Sequence, residues 1–591
     1  MDYGDRQGMK GDTLAALVLA LLLAAAWTLR DWHQLSALRL PDTDDVMRLQ
    51  QIRDWLGGQR FSDLAQHRLG APPGLAMHWS RLPDLVPGGI IAALTPFAGR
   101  HFAEIAAVIA WPTLLLAGAL LLTARIARAL GGAEIARTAL VVAAIAYPTT
   151  TIFLPGRIDH HGFQVVLLLV IVHALVHVPD MSRGLTAGLA AAASIAIGVE
   201  TLPLLAAAAV VLVTGWIWGR RGGDDALMGF GIALAAGLLA ANTVLKTEQF
   251  DFAGCDGFTA IVWRATQFAA FAPIVLAIAG YASARRDIRA GLAMALGVAA
   301  ISGLWLVAPS CLAPYGGVDP MLNRLWLANV GEAQPLFAAR PEVAIGYAGL
   351  MVAGIAASLW RLRATRDGFW SVLLVFQLAA LALTCLQLRG AYAGAILASP
   401  ALAAVIAVAR RRGSLWLAAA WLGSAGMLYP LAANAFAPQS EGQSQGRSQT
   451  GGRAGPGCTS PEALAELGTL PQGRLIAPLD LGAYALVATR LTVVGAPYHR
   501  NNAGNAAVYR FFLGTPDQAR SIAQNWQVRY IALCPGSFDE LGTTMSGNPD
   551  HLLAQLRRGR IPRWMRPIAR NSAGLTLFTV EPRLFASHSS R

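Results

Sequence analysis

Long apolar runs separated by short polar stretches dominate the chain up to about residue 437. A helix needs about 20 apolar residues to cross the hydrocarbon core of a bilayer. By that rule the pattern predicts roughly thirteen spans, near 12–29, 102–128, 135–153, 163–179, 184–198, 202–218, 226–245, 265–283, 289–308, 342–361, 370–387, 392–409 and 414–434. The fifth and sixth meet at Gly198-Val199-Glu200-Thr201 with almost no loop. The run from Thr13 to Leu29 has no clear small-x-small cleavage site before the polar segment that follows, so it is read as the first membrane helix, not a leader.

The polar stretches between the runs fix an orientation. Arginine clusters at Arg125–Arg137, Arg220–Arg221, Arg285–Arg289, Arg361–Arg366 and Arg410–Arg412 all fall on one side under this count. Basic connectors mark the cytoplasmic face. The other face then carries three large loops, about 31–100, 246–265 and 310–341. An odd number of spans also puts the C-terminus there. The expected setting is a bacterial inner membrane, crossed many times, with these loops on the periplasmic side.

After residue 437 the pattern changes. Residues 439–457, QSEGQSQGRSQTGGRAGPG, read as a flexible Gly/Ser/Gln linker. Beyond it Arg474–Ala477, Leu491–Val494 and Val528–Leu533 have the short β-branched and aromatic character of strands, and Pro516–Trp526 reads as a helix. The expected fold class is therefore a polytopic α-helical membrane protein with a C-terminal soluble α/β domain. Its expected parts are a membrane domain over 1–437, a linker over 438–457 and an extracytoplasmic domain over 458–591. No internal repeat is visible.

Composition supports the membrane reading. Of 591 residues, 55% are hydrophobic and 14% charged, where soluble domains carry about 25% charged residues. The mean hydropathy is +0.47. A net charge of +13 invites a nucleic-acid reading. The arginines instead cluster between apolar runs, and no basic helix is interleaved with aromatics, so nucleic acid is excluded as a partner. The five cysteines form no CxxC or Cys/His zinc pattern. Cys255 with Cys311, and Cys458 with Cys534, fall outside the cytoplasm by this topology and are candidate disulfides. Cys385 lies in an apolar run as a small core residue.

Four polar clusters stand out, all on the outer face. The first loop holds Asp42-Thr43-Asp44-Asp45, followed by Arg53-Asp54. Gly156-Arg157-Ile158-Asp159-His160-His161-Gly162 ends the third span. Ionisable groups at a membrane edge are usually functional, because desolvation makes idle ones costly. Asn329-Val330-Gly331-Glu332 precedes the tenth span, and Leu388-Arg389-Gly390-Ala391-Tyr392 ends the eleventh. Carboxylates are the natural ligands of Mg2+ or Mn2+, and a His ligand tilts the choice toward Mn2+. A planar guanidinium suits a phosphate. Together these groups could build a metal site for a diphosphate-linked donor.

This ordered set resembles the catalytic subunit of oligosaccharyltransferases, within the GT-C superfamily of membrane glycosyltransferases, over nearly the whole chain. The family's first-loop Asp, followed nine residues later by Arg-Asp, looks like Asp44 with Arg53-Asp54. The Asp-His-His of archaeal members looks like Asp159-His160-His161. The family's Ser/Thr-Val/Ile-x-Glu resembles Asn329-Val330-Gly331-Glu332, and its donor-binding Arg resembles Arg389. The resemblance implies that Asp44, Asp159, His161 and Glu332 hold one divalent cation, Mn2+ or Mg2+. It implies that Asp44 and Glu332 orient or activate the acceptor, and that Arg389 binds the donor diphosphate. Asp45 is an alternative to Asp44 by a one-residue slip, and His160 stands beside His161.

One departure concerns the acceptor. The family's C-terminal domain opens with Trp-Trp-Asp-Tyr-Gly, whereas the corresponding stretch here is Ala477-Pro478-Leu479-Asp480-Leu481-Gly482. Asp480 and Gly482 match and both tryptophans are missing. The expected acceptor is therefore a glycan, a lipid or a different protein side chain, not a sequon asparagine. The segment Pro497-Tyr498-His499-Arg500-Asn501-Asn502 is a candidate for the acceptor side, or an ordinary polar loop. The expected partners are a polyprenyl-phosphate- or diphosphate-linked sugar, membrane lipid and that acceptor. Two other readings stay open: a transporter or flippase for a lipid-linked or anionic substrate, and a non-catalytic membrane sensor with a periplasmic binding domain.

Overall fold

The computed structural model describes residues 3–307, 309–312, 317–436, 457–570 and 574–581. The linker expected at 438–457 lies outside them except for Gly457. The chain forms two compact units. One comprises Met1–Arg30, Trp79–Pro314 and Glu332–Ser444; the other comprises Asp31–His78, Tyr315–Gly331 and Gln445–Arg591.

The first unit is helical. Among the described residues eight helices are long and apolar enough to cross a membrane: Gly8–Arg30, Arg100–Gly131, Gly223–Val244, Ala260–Ala282, Arg286–Leu306, Pro341–Thr365, Phe369–Leu386 and Gly390–Arg410. The pair Ser414–Ser424 and Leu428–Ala435, bent by 87°, makes a ninth if it is one span. The chain is a multi-pass membrane protein, but thirteen full-length spans are not what these helices provide. Helices Ala133–Ala144, His161–Leu175, Met181–Ile197 and Leu202–Ile217 have 12, 15, 17 and 16 residues. At a rise of 1.5 Å per residue each reaches only about 18–26 Å. The span expected at 135–153 shortens most, to 12 residues. After Ala144 the chain meets Tyr147-Pro148, where proline cannot continue a helix, and it resumes as a 3-10 turn over Thr149–Phe153.

The stretch expected as a loop over 31–100 is not loop throughout. Residues within the 31–100 loop include an apolar helix, Leu85–Ala98, packed against Arg100–Gly131. The turn between them is Gly99, whose φ of +77° a side chain would resist.

Helices Met181–Ile197 and Gly223–Val244 pack closely because glycines face the neighbouring backbone. A Cβ on Gly184 would stand 2.2 Å from the Ala226 carbonyl oxygen, and one on Gly188 2.3 Å from that of Phe230. Small residues four apart allow this approach between membrane helices.

The arginine-rich connectors meet one another. Arg128 pairs with buried Asp12 at 2.6 Å, and Arg411 reaches Glu134 at 3.0 Å. Arg220 donates to the Gly368 carbonyl at 3.4 Å, and Arg289 pairs with Asp224 at 3.2 Å. Helices Gly223–Val244 and Arg286–Val307 both begin at this basic end. Beyond their other ends Cys255 and Cys311 form a disulfide, with Cα atoms 4.9 Å apart.

The second unit contains a five-stranded sheet in the order Thr492–Val493, Arg474–Ile476, Tyr530–Leu533, Thr576–Val580, Met565–Arg570. The first two pairings are parallel and the last two antiparallel. Tyr530–Leu533 is buried along its length, as a central strand should be. Helix Pro516–Asn525 is set by a capping box between Thr515 and Gln518. Phe511, Phe512, Val528, Ile531 and Leu322 share one apolar core. A disulfide joins Cys458 to Cys534, with Cα atoms 5.9 Å apart. The first-loop helix Thr43–Leu56 packs on helix Leu479–Ala488. Tyr484 and Tyr498 fasten the entry to that helix, their hydroxyls donating to the Leu40 and Thr43 carbonyls at 3.0 and 2.9 Å.

Candidate functional site

Two short segments bring the polar groups of the first unit together. The turn before helix His161–Leu175 is anchored where the Gly156 N–H donates to the Val108 carbonyl at 2.8 Å. Asp159 follows, and its Oδ1 accepts from both the His160 backbone N–H, at 2.6 Å, and the ring Nδ1, at 2.5 Å. The second segment docks by backbone hydrogen bonds. Arg389 N–H donates to the Glu332 carbonyl at 3.1 Å, and Leu388 N–H donates to that of Gln334 at 2.9 Å. This clamp explains how residues 57 positions apart in sequence present their side chains together.

The side chains converge on His161. Its Nε2 lies 3.4 Å from Asp159 Oδ2 and 3.7 Å from Glu332 Oε2. Arg389 Nη2 lies 3.9 Å from Glu332 Oε1, and the Tyr392 hydroxyl donates to Glu332 Oε2 at 3.4 Å. Tyr392 is itself held by Thr149, whose hydroxyl donates to its carbonyl at 2.6 Å. Asp159, His160 and His161 are all buried. Burial alone would raise the Glu332 pKa, but Arg389 and His161 hold it down to about 2. Burial also acts against a charged His160, yet Asp159 and Glu200 push that imidazole up to about 10.

One ligand atom from each of Asp159, His160 and His161 falls within a 4.8 Å cluster. The donor chemistry fits a divalent cation. His160 turns both ring nitrogens to carboxylates, Nδ1 to Asp159 and Nε2 to Glu200 at 3.5 Å. His161 Nε2 instead faces the space shared by Asp159 and Glu332. A set of one imidazole nitrogen and two carboxylates suits Mn2+ or Zn2+ better than Mg2+.

Sequence reasoning brought forward Asp159, His160, His161, Glu332 and Arg389, and these assemble in the first unit. Asp44, Asp45, Arg53, Asp480, His499 and Arg500 belong to the second. Asp44 is partly buried in the first turn of helix Thr43–Leu56, its N–H donating to the Asp42 cap at 3.1 Å. Asp45 is fully buried. Arg53 donates to the Val487 carbonyl at 3.3 Å. Asp480, half-buried in the first turn of helix Leu479–Ala488, has its pKa pushed up to about 8 by burial and by the charges of Asp42 and Glu540. The His499 ring lies against His78, centroids 4.4 Å apart, and Arg500 donates to the Met77 carbonyl at 3.3 Å.

Two contributors were missed in sequence. Glu200 contacts His160, and Gln164 donates to Glu200 Oε2 at 3.4 Å and to the Gly198 carbonyl at 3.2 Å. The signal was present: Glu200 is an ionisable residue between two apolar runs.

No family model matches the chain, and no curated protein matches it in sequence. Solved structures do match in fold. The archaeal oligosaccharyltransferase AglB from Archaeoglobus fulgidus, in complex with an inhibitory peptide and a dolichol-phosphate, is 15% identical with a TM-score of 0.65. That match covers 97% of this chain and 74% of the other. The Archaeoglobus fulgidus enzyme tethered to an acceptor peptide containing the NVT sequon is 14% identical, with a TM-score of 0.65 over 98% and 75% of the two chains. Its complex with Zn and sulfate is 15% identical, with a TM-score of 0.62 over 97% and 74%. The chain shares the fold of these oligosaccharyltransferase structures.

Proposed function

We propose that this chain, built on that fold, transfers a sugar or glycan from a polyprenyl-phosphate or -diphosphate donor to an acceptor on the outer face of a bacterial inner membrane. The observation that carries the reading is the convergence of Asp159, His161, Glu332 and Arg389. An anionic leaving group and a cation would both be served by such a set. The archaeal enzyme's complexes with dolichol-phosphate and with Zn and sulfate support both parts.

Asp159, His161 and Glu332 would hold the cation, Mn2+ in preference to Mg2+, and the resemblance adds Asp44. When bound, the ion supplies positive charge against the departing phosphate. Arg389 grips the same phosphate through its planar fork. Glu332 keeps its carboxylate ionised beside Arg389 and orients the acceptor, a role that the resemblance also implies for Asp44. The acceptor's nucleophilic atom bonds to the anomeric carbon as the bond from that carbon to the phosphate oxygen breaks. The acceptor's proton passes to a carboxylate or to water, and the electron pair leaves with the lipid phosphate. The loss of both tryptophans around Asp480 favours an acceptor other than a sequon peptide: a glycan, a lipid or another protein side chain.

The test is transfer, or hydrolysis in the absence of acceptor, from a labelled polyprenyl-diphosphate sugar by purified protein. Wild type should release the sugar, and Asp159→Ala and Glu332→Gln should not. A folded wild type that turns over no polyprenyl donor would move the reading to transport or ligand sensing.

A further inference from the structure

His160 is the residue of the Asp-His-His turn that the donor set leaves without a role. It lies 5% exposed between two carboxylates, with Nδ1 on Asp159 and Nε2 3.5 Å from Glu200 Oε1. Asp159 is thus held on one oxygen by His160, while its other oxygen faces His161 at 3.4 Å. Glu200 lies on the turn between helices Met181–Ile197 and Leu202–Ile217, far from Asp159 in sequence. Its carboxylate is steered as well. Gln164, one turn into helix His161–Leu175, donates to Glu200 Oε2 at 3.4 Å and to the Gly198 carbonyl at 3.2 Å. The turn closes at its other edge through the Ser194 and Thr201 hydroxyls, 2.7 Å apart.

Gly198 provides an independent sign that the carboxylate's place is specified. A Cβ there would stand 2.3 Å from Glu200 Oε2 and 3.2 Å from its Cδ. The backbone of Gly198 is extended, with φ of 178°, so conformation does not demand glycine. A Cβ there would instead require the Glu200 carboxylate to move from its present place.

We infer that Glu200 is a positioning residue for the cation site: through His160 it fixes which oxygen of Asp159 is turned toward His161. This rests on the reading of Asp159 and His161 as ligands. A carboxylate that holds a histidine which in turn holds a ligand is a recurrent outer-shell device, and losing such a partner typically costs 10–100-fold in metal affinity or activity. Without Glu200, His160 is released to rotate, and Asp159 loses its fixed oxygen.

The experiment is Mn2+ binding to the purified full chain, stripped of metal, read by the loss of the free-ion electron-paramagnetic-resonance signal. Wild type, Glu200→Gln and Gly198→Ala are compared, with melting temperature measured alongside. Glu200→Gln removes the charge and retains the shape; Gly198→Ala retains the charge and displaces it. Both should weaken Mn2+ binding about 10–100-fold, and saturating Mn2+ should restore donor turnover in both with an unchanged KM for donor. Wild-type affinity in both folded variants would overturn the positioning role while leaving the transferase reading intact. A folded wild type that takes up no Mn2+ would overturn the cation reading, and this inference with it.

Discussion

At the scale of single residues, the site makes separable demands. Glu332→Gln keeps the size and backbone docking of Glu332 but removes its charge. Turnover should fall by about a hundredfold or more, the range for a lost preorganised electrostatic contact, and a measured kcat within a few-fold of wild type would remove Glu332 from the chemistry. Arg389→Lys keeps the charge and loses the fork. Its expected effect is a rise of about tenfold or more in donor KM, since hydrogen bonds to charged groups contribute about 1.5–3 kcal/mol. Asp480 gives a pH test. Its folded pKa is raised to about 8 against 3.8 for the free group. The stability linked to it is therefore complete below about pH 4 and is lost as pH rises toward and through 8. Asp480→Asn should melt above wild type at pH 9 and close to it at pH 4; an equal difference at both pH values would contradict the raised pKa. The first-unit residues were legible because charged side chains at a membrane edge are rare enough to notice. Glu200 was not singled out, because an apparently loop-free junction hid the turn that carries it.

At the scale of elements, strands Arg474–Ile476, Thr492–Val493 and Tyr530–Leu533 fall where β-branched runs predicted them. Strands Met565–Arg570 and Thr576–Val580 were not expected, since Pro567 and the polar residues of the first blur an alternating pattern that only pairing completes. The span expected at 135–153 was too long because hydropathy does not register the break at Tyr147-Pro148. Helix Leu85–Ala98 was hidden inside a stretch read as loop. The glycine contacts of Met181–Ile197 with Gly223–Val244 carry their own prediction. Gly188→Leu places a side chain where Phe230's carbonyl already stands, and such overpacking costs about 1–3 kcal/mol or more. Thermal melting in detergent should drop by several degrees for Gly188→Leu and little for Gly291→Leu, whose Cβ would meet nothing within 4 Å. Equal melting of the two variants would show that the close approach is not needed.

At the scale of the whole molecule, the arginine connectors and the Cys255–Cys311 disulfide mark opposite ends of helices Gly223–Val244 and Arg286–Val307. Two disulfides leave Cys385 as the free thiol among the five cysteines. Labelling of the denatured, unreduced chain should therefore count one thiol, and a count of three or five would remove one or both bridges. The tally of spans was the least legible feature, because helices of only 12–17 residues alternate with turns between Ala133 and Ile217. The central claim is a donor-cleaving site on the face away from those arginines. Its most direct test uses proteoliposomes of known orientation, with a labelled polyprenyl-diphosphate sugar in the bilayer and Mn2+ supplied to one side only. Sugar release should require Mn2+ on the side that bears the Cys255–Cys311 disulfide. Release that follows Mn2+ on the arginine-bearing side, or no release from folded protein with the ion on either side, would contradict the account.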